Sequence, residues 1–175
     1  MAHEEQMQWL QKIKNLMPKH FLYKDVLEFG SRNINGTVRD LFMHCTHRGI
    51  DVTPGDCVDY ISLCHEYKGD PADVVVSTEM LEHDPYWQWS LKNMVKLLRP
   101  NGLLLITCAT TGRAEHGTDN TDGLDYGPKI DGKSWYFNVP PHRLLWAIED
   151  HLESILMEYD SIRGDLYLAG IRKSD

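Results

Sequence analysis

With 175 residues, 42% of them hydrophobic and 25% charged, the chain can bury one sizeable core but is short for two domains of ordinary size. This balance excludes wholesale disorder, and a formal net charge of -8 speaks against a protein whose main task is gripping a nucleic-acid backbone. No apolar run reaches membrane-spanning length, the first residues are charged and amphipathic, and the four cysteines form no C-x-x-C pair, so reduced thiols and a cytoplasmic setting are expected.

One domain over 1–175 is the simplest organisation, since no repeat or linker is visible. Residues 1–18 place Met7, Leu10, Ile13 and Met17 near helical spacing before Pro18, which predicts an amphipathic helix. Strands are expected at Asp25–Gly30, Gly49–Val52 and Val58–Leu63, with a helix over Gly36–Phe42 between the first two. Val74-Val75-Val76 within Ala72–Ser77 and the run Leu103–Cys108 read as strands buried on both faces. Between them a helix over Tyr86–Leu98 should turn Trp89, Leu91, Met94, Val95 and Leu98 inward, and Pro100-Asn101-Gly102 should turn the chain.

Residues 110–138 lose the apolar period and carry Arg113, Glu115, His116, Asp119, Asp122, Tyr126, Trp135 and Tyr136, the profile of a lid or substrate loop. A helix over Pro141–Asp150 then precedes strands Glu153–Tyr159 and Leu166–Ile171. Their connection is too short for a crossover, so these two must pair antiparallel. The whole predicts an α/β fold, a mostly parallel sheet with helices on both faces and an antiparallel final hairpin.

Four segments then resemble, in order, the motifs of class I S-adenosylmethionine-dependent methyltransferases. They are Val26-Leu27-Glu28-Phe29-Gly30-Ser31, Gly49-Ile50-Asp51-Val52, Asp73–His83, and Leu97-Leu98-Arg99-Pro100-Asn101-Gly102 running into Leu103–Thr107. The resemblance implies a Rossmann-like, seven-stranded sheet, S-adenosylmethionine as cofactor with S-adenosylhomocysteine as product, and methyl transfer as the activity. It places Asp51 on the cofactor ribose and Glu28 near its methionine end. Gly30, Ser31, Asn33, Asn35, Val52, Leu63, Cys64 and Thr78 complete the expected cofactor site. Two departures stand out: Arg32 replaces a second glycine, so Asn33 and Asn35 are expected to take its left-handed conformation, and Leu63 stands where an acid often meets adenine.

Glu79, His116 and His142 are the candidate catalytic groups, since imidazole and a strand-end carboxylate can take a proton near neutral pH. Glu82 and His83 read as helix-start capping and packing. His44, Cys45 and His47 cluster but offer fewer than four ligands, so no metal is expected. The turn after the first strand is too poor in glycine for a dehydrogenase. A small-molecule or polar metabolite acceptor is expected, with no membrane and no nucleic-acid partner. The alternatives are an RNA, protein or glycan acceptor, or a binding module without catalysis.

Overall fold

The computed structural model describes residues 4–121 and 127–174. Its centre is set by three apolar runs that lie side by side. Strand β1 (Asp25–Phe29) pairs in parallel with β4 (Ala72–Thr78), which pairs in parallel with β5 (Leu98–Ala109). In this register Val26, Val74 and Leu103 are neighbours on one face, and Leu27, Val75 and Leu104 are neighbours on the other. Because successive side chains on a strand point to opposite faces, an unbroken apolar run needs a cover on both.

Helix α1 (Glu4–Leu16) covers the first face with Trp9, Leu10 and Ile13. Helices α2 (Trp87–Leu97) and α3 (Pro141–Ile148) cover the second with Leu91, Met94, Leu144 and Ile148. The sheet is extended on one side by β2 (Thr46–Asp51) and β3 (Tyr60–Ile61). On the other side lie β9 (Asp165–Arg172) and β8 (Leu152–Asp160). The order is β3-β2-β1-β4-β5-β9-β8, with β9 antiparallel to both its neighbours. This is the seven-stranded, mostly parallel sheet with an antiparallel final hairpin. Among the described residues no helix is long and apolar enough to cross a membrane.

Several boundaries differ from expectation for identifiable reasons. Gly36–Phe42 forms only one 3-10 turn, Val38–Leu41, capped by the Thr37 hydroxyl accepting from the Arg39 amide at 3.2 Å. So short a segment, with β-branched Thr37 and Val38 at its start, cannot offset helix nucleation. His44 and Cys45 therefore follow an extended turn rather than a helix end, and His44 has φ +53. The third strand shrinks to two exposed residues at the sheet edge, where it has a single neighbour. Trp89 is 61% exposed rather than inward, because the buried stripe of α2 runs Trp87, Leu91, Met94, Val95 and position 89 lies opposite it. Asn101, at φ +61, makes an irregularity within β5, which already pairs with Ala72 through Leu98.

The long connection is not wholly irregular. Asp131 and Gly132, both left-handed at φ +54 and +73, turn a small hairpin between β6 (Lys129–Ile130) and β7 (Lys133–Ser134). Asp122 and Tyr126 lie outside the described residues.

Candidate functional site

At the carboxyl ends of β1, β2 and β4 the chain leaves a cleft with about 1160 Å³ of empty space, its open mouth included. Parallel sheets place ligands here, where connections depart to opposite sides of the sheet. Glu28 and Gly30 come from β1, Asp51 from β2, and Thr78 and Glu79 from β4.

The β1 end is built by backbone ties. The amides of Gly30 and Ser31 both donate to the Ile50 carbonyl, at 2.9 and 3.2 Å, and the Arg32 amide donates to Asp51 Oδ2 at 3.2 Å. Asp51 Oδ1 accepts from the Thr53 amide at 2.9 Å. Two amides fix this carboxylate while leaving lone pairs for further donors. Gly30 has φ +75, and a Cβ on it would lie 2.7 Å from Met80 Cβ, so the turn requires glycine. Glu28 is 4% exposed; burial pushes its carboxyl up to about 7 against the pull of Arg39, whose Nε stands 3.5 Å away. Burial also raises Asp51.

The β4 end is a buried polar cluster. Glu79 is left-handed at φ +50, and its Oε1 accepts from the Thr107 hydroxyl at 2.8 Å. Burial and the neighbouring Glu82 raise Glu79 to about 8. Glu82 is 0% exposed, raised by burial, and faces the Glu79 carboxyl and the amides of Glu82 and Ala109. Neither of its oxygens finds a hydrogen bond of good geometry among the described residues. His116 Nε2 stands 3.9 Å from Glu82 Oε1.

His83 and His116 meet edge to face, with ring centroids 5.4 Å apart and Tyr136 beside both. Each ring is held through Nδ1 to a backbone carbonyl, His83 to Trp135 at 2.9 Å and His116 to Ala114 at 3.2 Å. Burial lowers His83 and drives His116 down to about 4, so both are neutral at pH 7. As neutral rings that donate Nδ1–H, they present their Nε2 lone pairs.

Of the expected cofactor residues, Glu28, Gly30, Ser31, Asn35, Asp51, Val52, Leu63, Cys64 and Thr78 line the cleft. Asn33 does not: its side chain accepts from the Gly36 amide at 2.9 Å and orders the loop instead. Neither Asn33 nor Asn35 is left-handed; that conformation falls to Gly30 and Gly36. In this stretch Cys64 O accepts from Asn93 and Leu63 O from the amides of Glu66 and Tyr67.

Of the expected catalytic residues, Glu79 and His116 line the cleft. His142 does not, and it sits exposed in the first turn of α3. His83 belongs to the cleft rather than to a helix cap; Asp84 starts α2 by accepting from the Tyr86 amide and the Ser90 hydroxyl. His44 and Cys45 do not converge: His44 stacks on Tyr23 and the Cys45 thiol donates to the Met43 carbonyl. Arg39 was not anticipated, although an arginine shortly after a strand-end acid was the available signal.

Residues 1–160 match a family model described as a methyltransferase domain. Comparison with curated proteins gives no match. Among solved structures the chain is similar to the 1,6-didemethyltoxoflavin-N1-methyltransferase of Burkholderia thailandensis, at 15% identity and TM-score 0.65, covering 96% of this chain and 78% of that one. It is similar to the N-methyltransferase NodS of Bradyrhizobium japonicum WM9, at 17% identity and TM-score 0.64, covering 97% and 88%. Phosphoethanolamine N-methyltransferase 2 of Haemonchus contortus gives 15% identity and TM-score 0.69, covering 96% of this chain and 53% of that one. The family match spans most of the chain and the fold agrees with it: the chain belongs to the methyltransferase-domain family, as an S-adenosylmethionine-dependent methyltransferase of the class I fold.

Proposed function

We propose that this protein methylates a small polar acceptor whose reacting N–H or O–H group faces Glu79 and His116. The observation that carries this reading is the continuity of one cleft, lined by Gly30 and Asp51 at one end and by Glu79, His83 and His116 at the other. About 1160 Å³ of empty space, the open mouth included, lies between these two groups of residues. Similar solved structures hold 1,6-didemethyltoxoflavin or phosphomonomethylethanolamine together with S-adenosylhomocysteine, which supports a small acceptor here.

The residues suit the cofactor. Asp51 retains acceptor capacity for paired hydroxyls, and the buried Ser31 hydroxyl at the cleft wall has no hydrogen-bond partner among the described residues. Gly30 lets the backbone approach closely. When bound, S-adenosylmethionine supplies an electrophilic methyl group, so the protein's work is to position the acceptor, exclude water and remove a proton. His116, neutral at pH 7, is placed to accept a hydrogen bond from the acceptor's N–H or O–H through its Nε2 lone pair; brought down to about 4, it is a weak base. Glu79 holds its own proton until about pH 8.

Asp51→Ala is expected to weaken S-adenosylhomocysteine binding by about 1.5–3 kcal/mol, the scale of a hydrogen bond to a charged group. Isothermal titration calorimetry measures it, and unchanged affinity would remove Asp51 from the cofactor site. Transfer of labelled methyl groups to a panel of small amines and hydroxylated metabolites tests the acceptor class. Tight cofactor binding with no transfer to any acceptor would mean a binding module rather than an enzyme. With an acceptor in hand, His116→Ala should lower turnover by about 10²-fold or more while S-adenosylhomocysteine affinity stays within about twofold. A fully active variant would exclude His116 from the chemistry.

A further inference from the structure

The Glu82–His83–His116 cluster has a use that methyl transfer does not require. One oxygen of Glu82 and one nitrogen from each histidine lie within 4.8 Å of one another, among the described residues. Three further features match what a bound cation needs. Both imidazoles are oriented through Nδ1 by backbone carbonyls, the outer support that fixes tautomer and ring direction in metal-bound histidines. Glu82 is fully buried, and among the described residues neither of its oxygens makes a well-formed hydrogen bond, although the amides of Glu82 and Ala109 and the Glu79 carboxyl face it; a carboxylate so placed gains from a cation or a proton. The third is an open side: His83 and His116 line the cleft, so positions not taken by protein face the acceptor end.

We propose that Glu82, His83 and His116 form a divalent transition-metal site at the floor of the acceptor end of the cleft. Two imidazoles and one carboxylate suit zinc, cobalt, nickel or ferrous iron better than magnesium or calcium, which prefer all-oxygen shells. Bond lengths of about 2.0–2.2 Å put ligand atoms roughly 3.4 Å apart in a tetrahedral site, so the three side chains close by about an ångström around the ion. The ion takes the His116 Nε2 lone pair, so the contact of His116 with the acceptor's N–H or O–H belongs to the metal-free protein. The ion instead polarises whichever acceptor atom binds its open position, and so favours loss of that atom's proton.

The test uses the full chain, stripped with a chelator and titrated with Zn²⁺ by calorimetry and with Co²⁺ by visible absorption. One equivalent is expected, with Co²⁺ bands typical of nitrogen and oxygen ligands. His116→Ala and Glu82→Gln should each weaken binding by about tenfold or more. His44→Ala, at the other histidine cluster, should leave that equivalent unchanged. Glu82 is wholly buried and its variant risks misfolding, whereas the partly exposed His116 keeps the test decisive. No stoichiometric binding, or binding unaltered in His116→Ala, would overturn the proposal and leave Glu82 as a protonated acid. S-adenosylhomocysteine binding, measured in parallel without metal, reports separately on the proposed function.

Discussion

Valine at position 30 is expected to abolish S-adenosylhomocysteine binding, a loss of at least about 100-fold in affinity by calorimetry. Two independent effects combine. At φ +75 an L-residue pays roughly 1–2 kcal/mol, and a β-branched side chain fares worse than alanine. The new Cβ would also lie 2.7 Å from Met80 Cβ and 2.9 Å from Met80 Cγ. The turn cannot relax easily, because the Gly30 and Ser31 amides share the Ile50 carbonyl and the Arg32 amide is tied to Asp51. Any shift that relieves the clash therefore moves the Asp51 carboxylate too. A lowered melting temperature should accompany the loss. Removing the obstacle separates steric from backbone effects: Gly30→Val with Met80→Gly, which takes away both Cβ and Cγ, should recover part of the affinity. Near-native affinity in the single variant would mean that the cofactor does not approach this turn.

Glu28→Gln is expected to gain stability relative to the unchanged protein as pH rises, by roughly 2–3 kcal/mol between pH 4.5 and 7.5. Burial raises the Glu28 carboxyl from an ordinary 4.5 to about 7. Between those values the folded protein holds a proton that the unfolded chain has released, so folding becomes less favourable with rising pH at about 1.4 kcal/mol per unit. Glutamine keeps the shape without the titration. Lowered histidines act in the opposite sense. His20 and His116, both brought down to about 4, lose stability as pH falls below about 6.5, so the unmodified protein's own profile is flattened in that interval. The difference between variant and parent isolates Glu28, and denaturant unfolding across pH measures it. A difference independent of pH would show that Glu28 ionises normally despite its burial.

What the sequence disclosed depended on how local the determining physics was. Val74-Val75-Val76 and Leu103-Leu104-Leu105 announce buried strands because apolar residues on both faces need two covers. Glu28, Gly30 and Asp51 were legible because each lies within a residue of the end of its own strand, and strand ends are where parallel sheets open. The metal-like cluster was not legible. Glu82 and His116 are separated by 33 intervening residues, and they meet only because the Phe137 amide donates to the Glu82 carbonyl and folds the connection back over β4. His142 looked equivalent to His116 by composition, and only the course of α3 separates them. The exchange of Asn33 and Asn35 for a second glycine was misjudged because the loop needs left-handed residues at its two ends, Gly30 and Gly36, and not in its middle.

The pairing of the first helix with the last strand has a consequence for how the chain reaches this state. Trp9 stacks on Tyr167 with centroids 5.3 Å apart, and Gln6 donates to Thr107 across the sheet. During synthesis, then, Trp9, Leu10 and Ile13 emerge first and wait for β9, which lies about 150 residues later. At about 5–20 residues per second that delay is on the order of ten seconds, during which the apolar face of the helix lacks Tyr167 and Ala169 among its native partners. The parallel pairs β1, β4 and β5 can form earlier, but the face beneath α1 closes last and at high contact order. Nascent chains halted before β9 are accordingly the form of this protein most exposed to aggregation and to capture by chaperones.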